Sequence, residues 1–425
     1  MIQSFNKINK VNGTLSFLVD KSISHRALLI SSLAEGKSVI KNLSESDDVR
    51  STIKCLNGLG IESSFKNNIY TISGRGFKGY RKPARQLDAG NSGTVARLLS
   101  GILAVQNFES VITGDASLSS RPMKRIIEPL NQMGAIIESN NGKIPLKIFP
   151  SEKLQSIKYQ LPVASAQVKS AILFAGLHLE EQTSVIESTP TRNHTENLLG
   201  LSTQRVGTKI EFFVSKNDYP EAKAYFIPGD ISLAMFFIVL TLLTKNSELV
   251  IKDVSLNQTR TECLKLLKRM GGNIQIEEKG SSNNEVYGDL LVKSSELSNV
   301  RIEKEIIPLI IDEIPILTIA GIFAEGIFEL RGAAELRVKE SDRIKAICLN
   351  LLKLGLDVVE FDDGFSVSGK IKQDSEPFKS FGDHRIAMAF SILTSLLIDG
   401  GKVEGFESVS VSNPDFLNQL KSISS

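Results

Sequence analysis

Residues 20–36 read DKSISHRALLISSLAEG. A carboxylate opens the stretch, cations and hydroxyls follow within two turns, and apolar residues then dominate up to Gly36. Asp at the opening is a helix N-cap signal, and an apolar run that is not confined to one stripe marks a buried helix. The same pattern returns five times: from Asn91 (NSGTVARLLSGILA), Ser165 (SAQVKSAILFAGL), Asp230 (DISLAMFFIVLTLL), Asp312 (DEIPILTIAGIFAEG) and Asp383 (DHRIAMAFSILTSLL). Successive openings are 65 to 82 residues apart. A β-branched or aromatic segment follows each run: Ser38-Val39-Ile40, Ser110-Val111-Ile112, Ser184-Val185-Ile186, Leu249-Val250-Ile251, Ile327-Phe328 and Lys402-Val403.

A second pattern lies between the openings. It is an amphipathic helix closing on Gly60, Gly134, Gly207, Gly271 or Gly355, with a sixth copy at Asp415–Leu420 near the end of the chain. Glycine just past the last turn is a helix stop. Each repeat of about 70 residues therefore reads strand, helix, strand, helix, strands. Six copies in 425 residues predict an α/β chain with three repeats per domain. The polar stretch Lys216–Glu221 places the boundary near Pro220 to Gly229. An open solenoid, or six unrelated βα elements, would carry the same spacing.

Composition narrows the function classes. Hydrophobic residues are 41%, charged residues 23%, and the net charge is +2, which is ordinary for a globular chain and gives no footprint for nucleic acid or an anionic membrane. Cys55, Cys263 and Cys348 form no CxxC pair, and the four histidines have no HExxH spacing. A reducing compartment, no structural metal and inert cysteines inside the amphipathic helices are expected. The N-terminus has no apolar signal core, and the longest apolar stretch, Ile231 to Thr244, is short for a bilayer. The expectation is a cytoplasmic protein with neither membrane nor nucleic-acid partners.

The helix openings carry the candidate chemistry. A helix N-terminus presents free N–H groups and partial positive charge, which suits anions. Here Lys21, Ser22 and Arg26, then Asn91, Ser92, Thr94 and Arg97, then Ser165, Gln167 and Lys169, and finally His384 and Arg385 sit in or beside first turns. Ordinary capping accounts for any one opening; the recurrence of arginine points to phosphate or carboxylate ligands. Arg121 and Arg192 also sit at segment starts. Residues 336–343, LRVKESDR, read either as a solvated helix face or as a carboxylate, Glu340, lodged between Lys339 and Arg343 for proton transfer. Asp312, followed by Glu313, reads as a cap or as a second acid–base group. His194 and His384, beside Arg192 and Arg385, are better site candidates than His25 and His178. Gly74–Gly79 lacks both phosphate-loop frames and reads as a turn.

These residues resemble the 5-enolpyruvylshikimate-3-phosphate synthases, or 3-phosphoshikimate 1-carboxyvinyltransferases. The motifs DKSISHRALL, LDAGNSGTVARLL, SSRPM, LPVASAQVKSAILFAGL, TPTRNHTE, DEIPIL, ELRVKESDRI and GDHRIAMAF lie in that family's order across nearly the whole chain. The resemblance implies two similar domains, each a pseudo-threefold array of three βαβαββ units (an inside-out α/β barrel). These would be residues 13–228 and residues 229–425 plus 1–12. It also implies helix N-termini facing a cleft that closes over the substrates. The implied reaction moves the enolpyruvyl group of phosphoenolpyruvate onto the 5-hydroxyl of shikimate 3-phosphate and releases phosphate, in a monomer without metal or organic cofactor.

By motif position, the resemblance assigns Lys21, Ser22, Arg26, Ser165, Ala166, Gln167, Arg192, Asp312 and Lys339 to shikimate 3-phosphate. It assigns Lys21, Asn91, Gly93, Thr94, Arg121, Gln167, Arg343, His384 and Arg385 to phosphoenolpyruvate. Asp312 is the implied base for the hydroxyl, Glu340 the proton carrier at the methylene carbon, and Lys21 an aid to phosphate departure. Gly93 goes, in that family, with sensitivity to glyphosate. There are departures. Leu18-Val19 stand where many members have Pro-Gly, Ala166 stands where some have Ser, and Ser410–Pro414 has no Lys where some members carry one. The related UDP-N-acetylglucosamine enolpyruvyl transferases usually carry a Cys, less often Asp, in the loop that here reads Gly114–Ser120; Asp115 is present but displaced. A non-catalytic binding protein on the same fold would have lost part of the set Lys21, Asp312, Glu340 and Arg385, and none is missing.

Overall fold

The computed structural model describes residues 1–17, 19–372 and 376–424. Leu18 therefore lies outside the described residues; Val19 is buried. The six apolar runs are helices: α1 (Lys21–Leu33), α2 (Gly93–Leu103), α3 (Ala166–Gly176), α4 (Ile231–Leu243), α5 (Ile314–Phe323) and α6 (His384–Leu396). Their all-round apolarity has the expected result: every residue of α4 except Leu243 is buried. Five openings are capped, four by the residue the sequence marks and the second by Ser92 in place of Asn91. The side chains of Asp20, Ser92, Ser165, Asp230 and Asp383 accept hydrogen bonds from first-turn N–H groups. α5 differs: Glu313 holds the cap position and makes no capping bond.

The chain divides into two compact units, Val19–Pro228 with Ser281–Glu285, and Met1–Leu18 with Gly229–Gly280 and Val286–Ser425. Each has its own hydrophobic core. In the 19–228 unit, α2 packs against both α1 and α3; in the 229–425 unit, α4, α5 and α6 pack on one another. Three four-stranded sheets surround the first set of helices: Ala224–Phe226/Glu35–Lys41/Ile69–Arg75/Glu62–Lys66, Leu87–Asp88/Ser110–Thr113/Lys143–Phe149/Ile136–Asn140, and Lys158–Gln160/Thr183–Glu187/Lys209–Val214/Thr203–Val206. All three have one arrangement, with a parallel first pair and antiparallel pairs thereafter. The 229–425 unit repeats it in full once, with Asn12–Ser16/Glu248–Ser255/Glu285–Lys293/Asn273–Ser282, and has two three-stranded sheets besides.

Two sequence expectations change, and one open reading is decided. Residues 13–17 do not join the 19–228 unit. Asn12–Ser16 pairs in parallel with Glu248–Lys252, and Leu15 and Phe17 enter the core of the other unit. The matching place beside Glu35–Lys41 is taken by Ala224–Phe226. The third amphipathic helix is His194–Leu199, stopped by the left-handed Gly200; Gly207 instead turns the hairpin between Thr203–Val206 and Lys209–Val214. LRVKESDR is not one solvated helix. A 3-10 turn over Ala334–Val338 precedes the helix Arg343–Lys353. Residues 281–285 join the 19–228 unit through polar contacts: Phe226 N–H donates to Ser282 Oγ, and His194 Nδ1 lies 3.0 Å from Glu285 Oε1.

The cysteines are buried thiols of helices, and burial pushes Cys55 and Cys348 up to about 12. His25 and His178 are core residues. His25 Nδ1 bonds Thr52 Oγ1 at 2.6 Å, and His178 Nδ1 bonds the Phe174 carbonyl. Burial lowers them from 6.5 to about 3 and about 4.

The strand exchange predicts that Leu15→Ala costs about 2–4 kcal/mol. In hydrogen exchange the lost protection should fall on amides 248–252 rather than 35–41. The two buried imidazoles take up protons on unfolding, so folding stability should decline as pH falls from 6.5 towards 3. Chemical denaturation across that range should show this slope, and His25→Asn should flatten it.

Candidate functional site

In the 19–228 unit the opening turns of α1, α2 and α3 carry two polar groups. The first centres on Arg26, in the second turn of α1. Its Nε donates to Thr195 Oγ1 (2.7 Å), Nη1 to the Ser22 carbonyl (3.0 Å) and Nη2 to Ser170 Oγ (3.0 Å). Burial pulls Arg26 down from 12.5 to about 10, opposed mainly by Glu196 and reinforced by the charge of Arg192. Lys21, at the first position of α1, donates to Asp48 Oδ2 at 2.8 Å. Asp48 is a partner the sequence reading missed, since it lies 27 residues away in another helix.

The second group lies where α2 and α3 begin. Arg97 Nη1 donates to Gln167 Oε1 (2.6 Å), and Gln167 Nε2 donates to Thr94 Oγ1 (3.0 Å). Arg121 Nη2 donates to Asn91 Oδ1 (2.9 Å), and Asn91 Nδ2 donates to Asp115 Oδ2 (2.7 Å). Gly93 sits between the two arginines. A Cβ there would stand 2.7 Å from Arg97 Nη1 and 3.5 Å from Arg121 Nη1. Five expected residues, Asn91, Gly93, Thr94, Arg121 and Gln167, therefore share one cluster. Asp115 is engaged structurally, since its other oxygen caps the turn at Leu118. Ser165 and Ala166 begin the same helix as Gln167. The segment leading to them, Gln160–Ala164, lines a cavity of about 340 Å³ together with Glu187, Ser188 and Thr189.

The third group is in the 229–425 unit and centres on Arg343. Nη1 donates to Asp312 Oδ1 (3.3 Å), Nη2 to Glu340 Oε2 (2.6 Å) and Nε to Asp383 Oδ2 (2.8 Å). Burial disfavours its charge, but Asp383, Glu340 and Asp312 outweigh that and hold the guanidinium well above the ordinary arginine range. Asp383 is buried too, yet Arg343 and His384 keep its carboxyl below the usual range. Arg385 Nη1 donates to the Asp312 carbonyl (3.0 Å) and lies 3.8 Å from Glu313 Oε1. Behind it, Ser232 donates to Glu313, and Arg260 Nη2 donates to Asp230 Oδ1 (2.9 Å) and Ser232 Oγ (2.6 Å).

Asp312 thus serves as a partner of arginine and not as the helix cap. Glu340 and Arg343 meet as an i,i+3 pair, and Lys339 adjoins them in the chain. Arg337, from the same run, leaves the cluster and pins Asp342 and Glu360. His384 opens α6 and is 5% exposed. His194, expected as a site residue, is fully buried against Glu285. In the segment without Lys, Asn413 is buried and donates to Gln419 Oε1. The partners missed in the sequence, Thr195, Ser170 and Arg260, are short polar or common charged residues whose neighbours are set by packing. Asp383 and Glu313 did give a signal, the first as a helix opening and the second beside Asp312.

Among the described residues no group of three or more His, Cys, Asp or Glu could hold a metal ion. No single helix among them is long and apolar enough to cross a membrane.

The motifs and this geometry agree with comparisons to known proteins. The family model "EPSP synthase (3-phosphoshikimate 1-carboxyvinyltransferase)" matches residues 5–420. A 3-phosphoshikimate 1-carboxyvinyltransferase of Petrotoga mobilis is 45% identical over 98% of both chains, and one of Salinibacter ruber is 43% identical over 100% of both. The solved EPSP synthase of Acinetobacter baumannii superposes with a TM-score of 0.86 at 38% identity, covering 100% of this chain and 98% of that one. The enolpyruvyl transferase NikO of Streptomyces tendae shares the fold, with a TM-score of 0.74 at 13% identity over 99% of this chain and 97% of that one. With its arginine-centred carboxylates and its cationic helix openings, the chain belongs to the EPSP synthase family.

Proposed function

We propose that this chain transfers the enolpyruvyl group of phosphoenolpyruvate to the 5-hydroxyl of shikimate 3-phosphate. The hydroxyl oxygen adds to C2 while C3 takes a proton. The tetrahedral intermediate then loses that proton and inorganic phosphate, leaving an enolpyruvyl ether. The observation that carries this reading is the joining of two carboxylates, Asp312 and Glu340, to one buried guanidinium, Arg343. One can take the hydroxyl proton while the other serves the methylene carbon, and the shared cation fixes both in place.

The remaining roles follow from charge. Both substrates are polyanions, and their mutual repulsion must be offset by fixed cations that need no reorganisation during reaction. Lys21, Ser22 and Arg26 take the shikimate carboxylate and the reacting hydroxyl. Ser165, Ala166, Gln167, Arg192 and Lys339 take the phosphate and ring. Asn91, Gly93, Thr94, Arg121, Gln167, Arg343, His384 and Arg385, with Lys21, take phosphoenolpyruvate. Arg97 joins this last set, because it is held by Gln167 beside Gly93. Lys21 assists phosphate departure. In this reading the chain acts as a cytoplasmic monomer without metal or organic cofactor.

The deciding measurement is phosphate release from the purified protein with phosphoenolpyruvate and shikimate 3-phosphate, with UDP-N-acetylglucosamine as the alternative acceptor. Release with shikimate 3-phosphate alone is expected; release with only the nucleotide sugar would overturn the acceptor. Asp312→Asn and Glu340→Gln should each lower kcat by about a hundredfold or more, and near-full turnover would remove the corresponding role. Gly93→Ala places a methyl against Arg97 and should raise the KM for phosphoenolpyruvate by about tenfold or more. It should also weaken inhibition by glyphosate, which competes with phosphoenolpyruvate in the wild type under this assignment.

A further inference from the structure

Arg26 is only 3% exposed, yet no carboxylate among the described residues lies within ion-pair distance of it. Its three partners are two hydroxyls and a carbonyl. A guanidinium has five N–H donors, so two remain for a ligand. A buried charge without a counter-charge is costly, and a direct carboxylate partner would consume those donors.

The compensating charge belongs to a second buried group. Lys169, Glu187 and Glu196 are 0%, 2% and 3% exposed. Lys169 Nζ lies 2.8 Å from both Glu187 Oε2 and Glu196 Oε1. Glu187 also accepts from Thr191 Oγ1. Glu196, by contrast, accepts no hydrogen bond from any described residue, and the Lys169 ammonium is its close ionic contact. Glu187 already balances Lys169, so the trio keeps one surplus negative charge, next in sequence to Thr195, which grips Arg26 Nε. A buried carboxylate without hydrogen bonds requires a reason.

We propose that Glu196 is a positioning residue: held by Lys169, it balances the charge of Arg26 without occupying its donors, and so sets the preference for an acceptor that carries a carboxylate. This rests on the assignment of Arg26 to the shikimate carboxylate. The order of effects on Arg26 agrees, since Glu196 is the largest charge opposing the burial that pulls it down.

The test is calorimetric binding of shikimate 3-phosphate and of its carboxamide analogue to the wild type and to Glu196→Gln, with steady-state kinetics beside it. The wild type should bind the acid at least about tenfold more tightly than the amide, equivalent to about 1.4 kcal/mol. Glu196→Gln should lose most of that preference by weakening for the acid alone, with KM rising more than kcat falls. Equal weakening for acid and amide would reduce Glu196 to a structural role and overturn the inference. A wild type that binds both ligands equally would overturn the Arg26 assignment as well, whereas one that binds neither would overturn the proposed function. Glu196→Asp keeps the charge and should keep the preference within about threefold. Should Glu196→Gln not fold, loss of the preference in a folded Glu196→Asp would equally sink the proposal.

Discussion

A helix that is apolar on every side has one stable place, the middle of a folded unit, and its polar N-terminus must then be satisfied there too. This constraint acts six times in the chain. α4 is the extreme case, with Leu243 its only residue that is not buried. Each opening brings unpaired N–H groups and partial positive charge into the interior, and at five of the six the sequence answers with a capping Asp or Ser. The candidate site is the place where those answers exceed what capping requires. Asp383 shows both functions at once: it caps α6 and also anchors Arg343.

Arg26 and Arg343 meet the problem of a buried cation in opposite ways. Arg343 is surrounded by three carboxylates and is held charged in a closed network. Arg26 is held by neutral groups, and its balancing carboxylate, Glu196, is paired with Lys169 rather than with the guanidinium. The first arrangement fixes acid–base groups around a permanent charge; the second leaves donors for a ligand. An Arg-to-Lys exchange would serve neither, because a point charge cannot hold three directed contacts in one plane.

Much of this was legible in the chain. The six helices, four of their caps and the strands after them follow from apolar periodicity and capping residues, which are local properties. Gly60, Gly134, Gly271 and Gly355 adopt the positive φ that a helix stop requires. Gly207 does so as well, but in a hairpin, because a turn and a helix stop make the same local demand and Gly200 had already ended the helix. The run LRVKESDR left two readings open, a solvated helix or a carboxylate among cations, and burial decides between them by dividing the run and turning Arg337 and Arg343 to different partners.

The sequence by itself determined the repeat, the α/β class, the motifs of the family and the cations and carboxylates available, because these depend on residue type and short-range spacing. Only the tertiary structure decided which sheet Asn12–Ser16 would join, since two sheets of the same design offer equivalent edges and the choice rests on which core receives Leu15 and Phe17. Only the tertiary structure paired Lys21 with Asp48, Gln167 with Arg97 and Arg343 with Asp383, across separations of 27, 70 and 40 residues. Electrostatic partners at such distances are set by the packing of helices and sheets, and no local pattern encodes them.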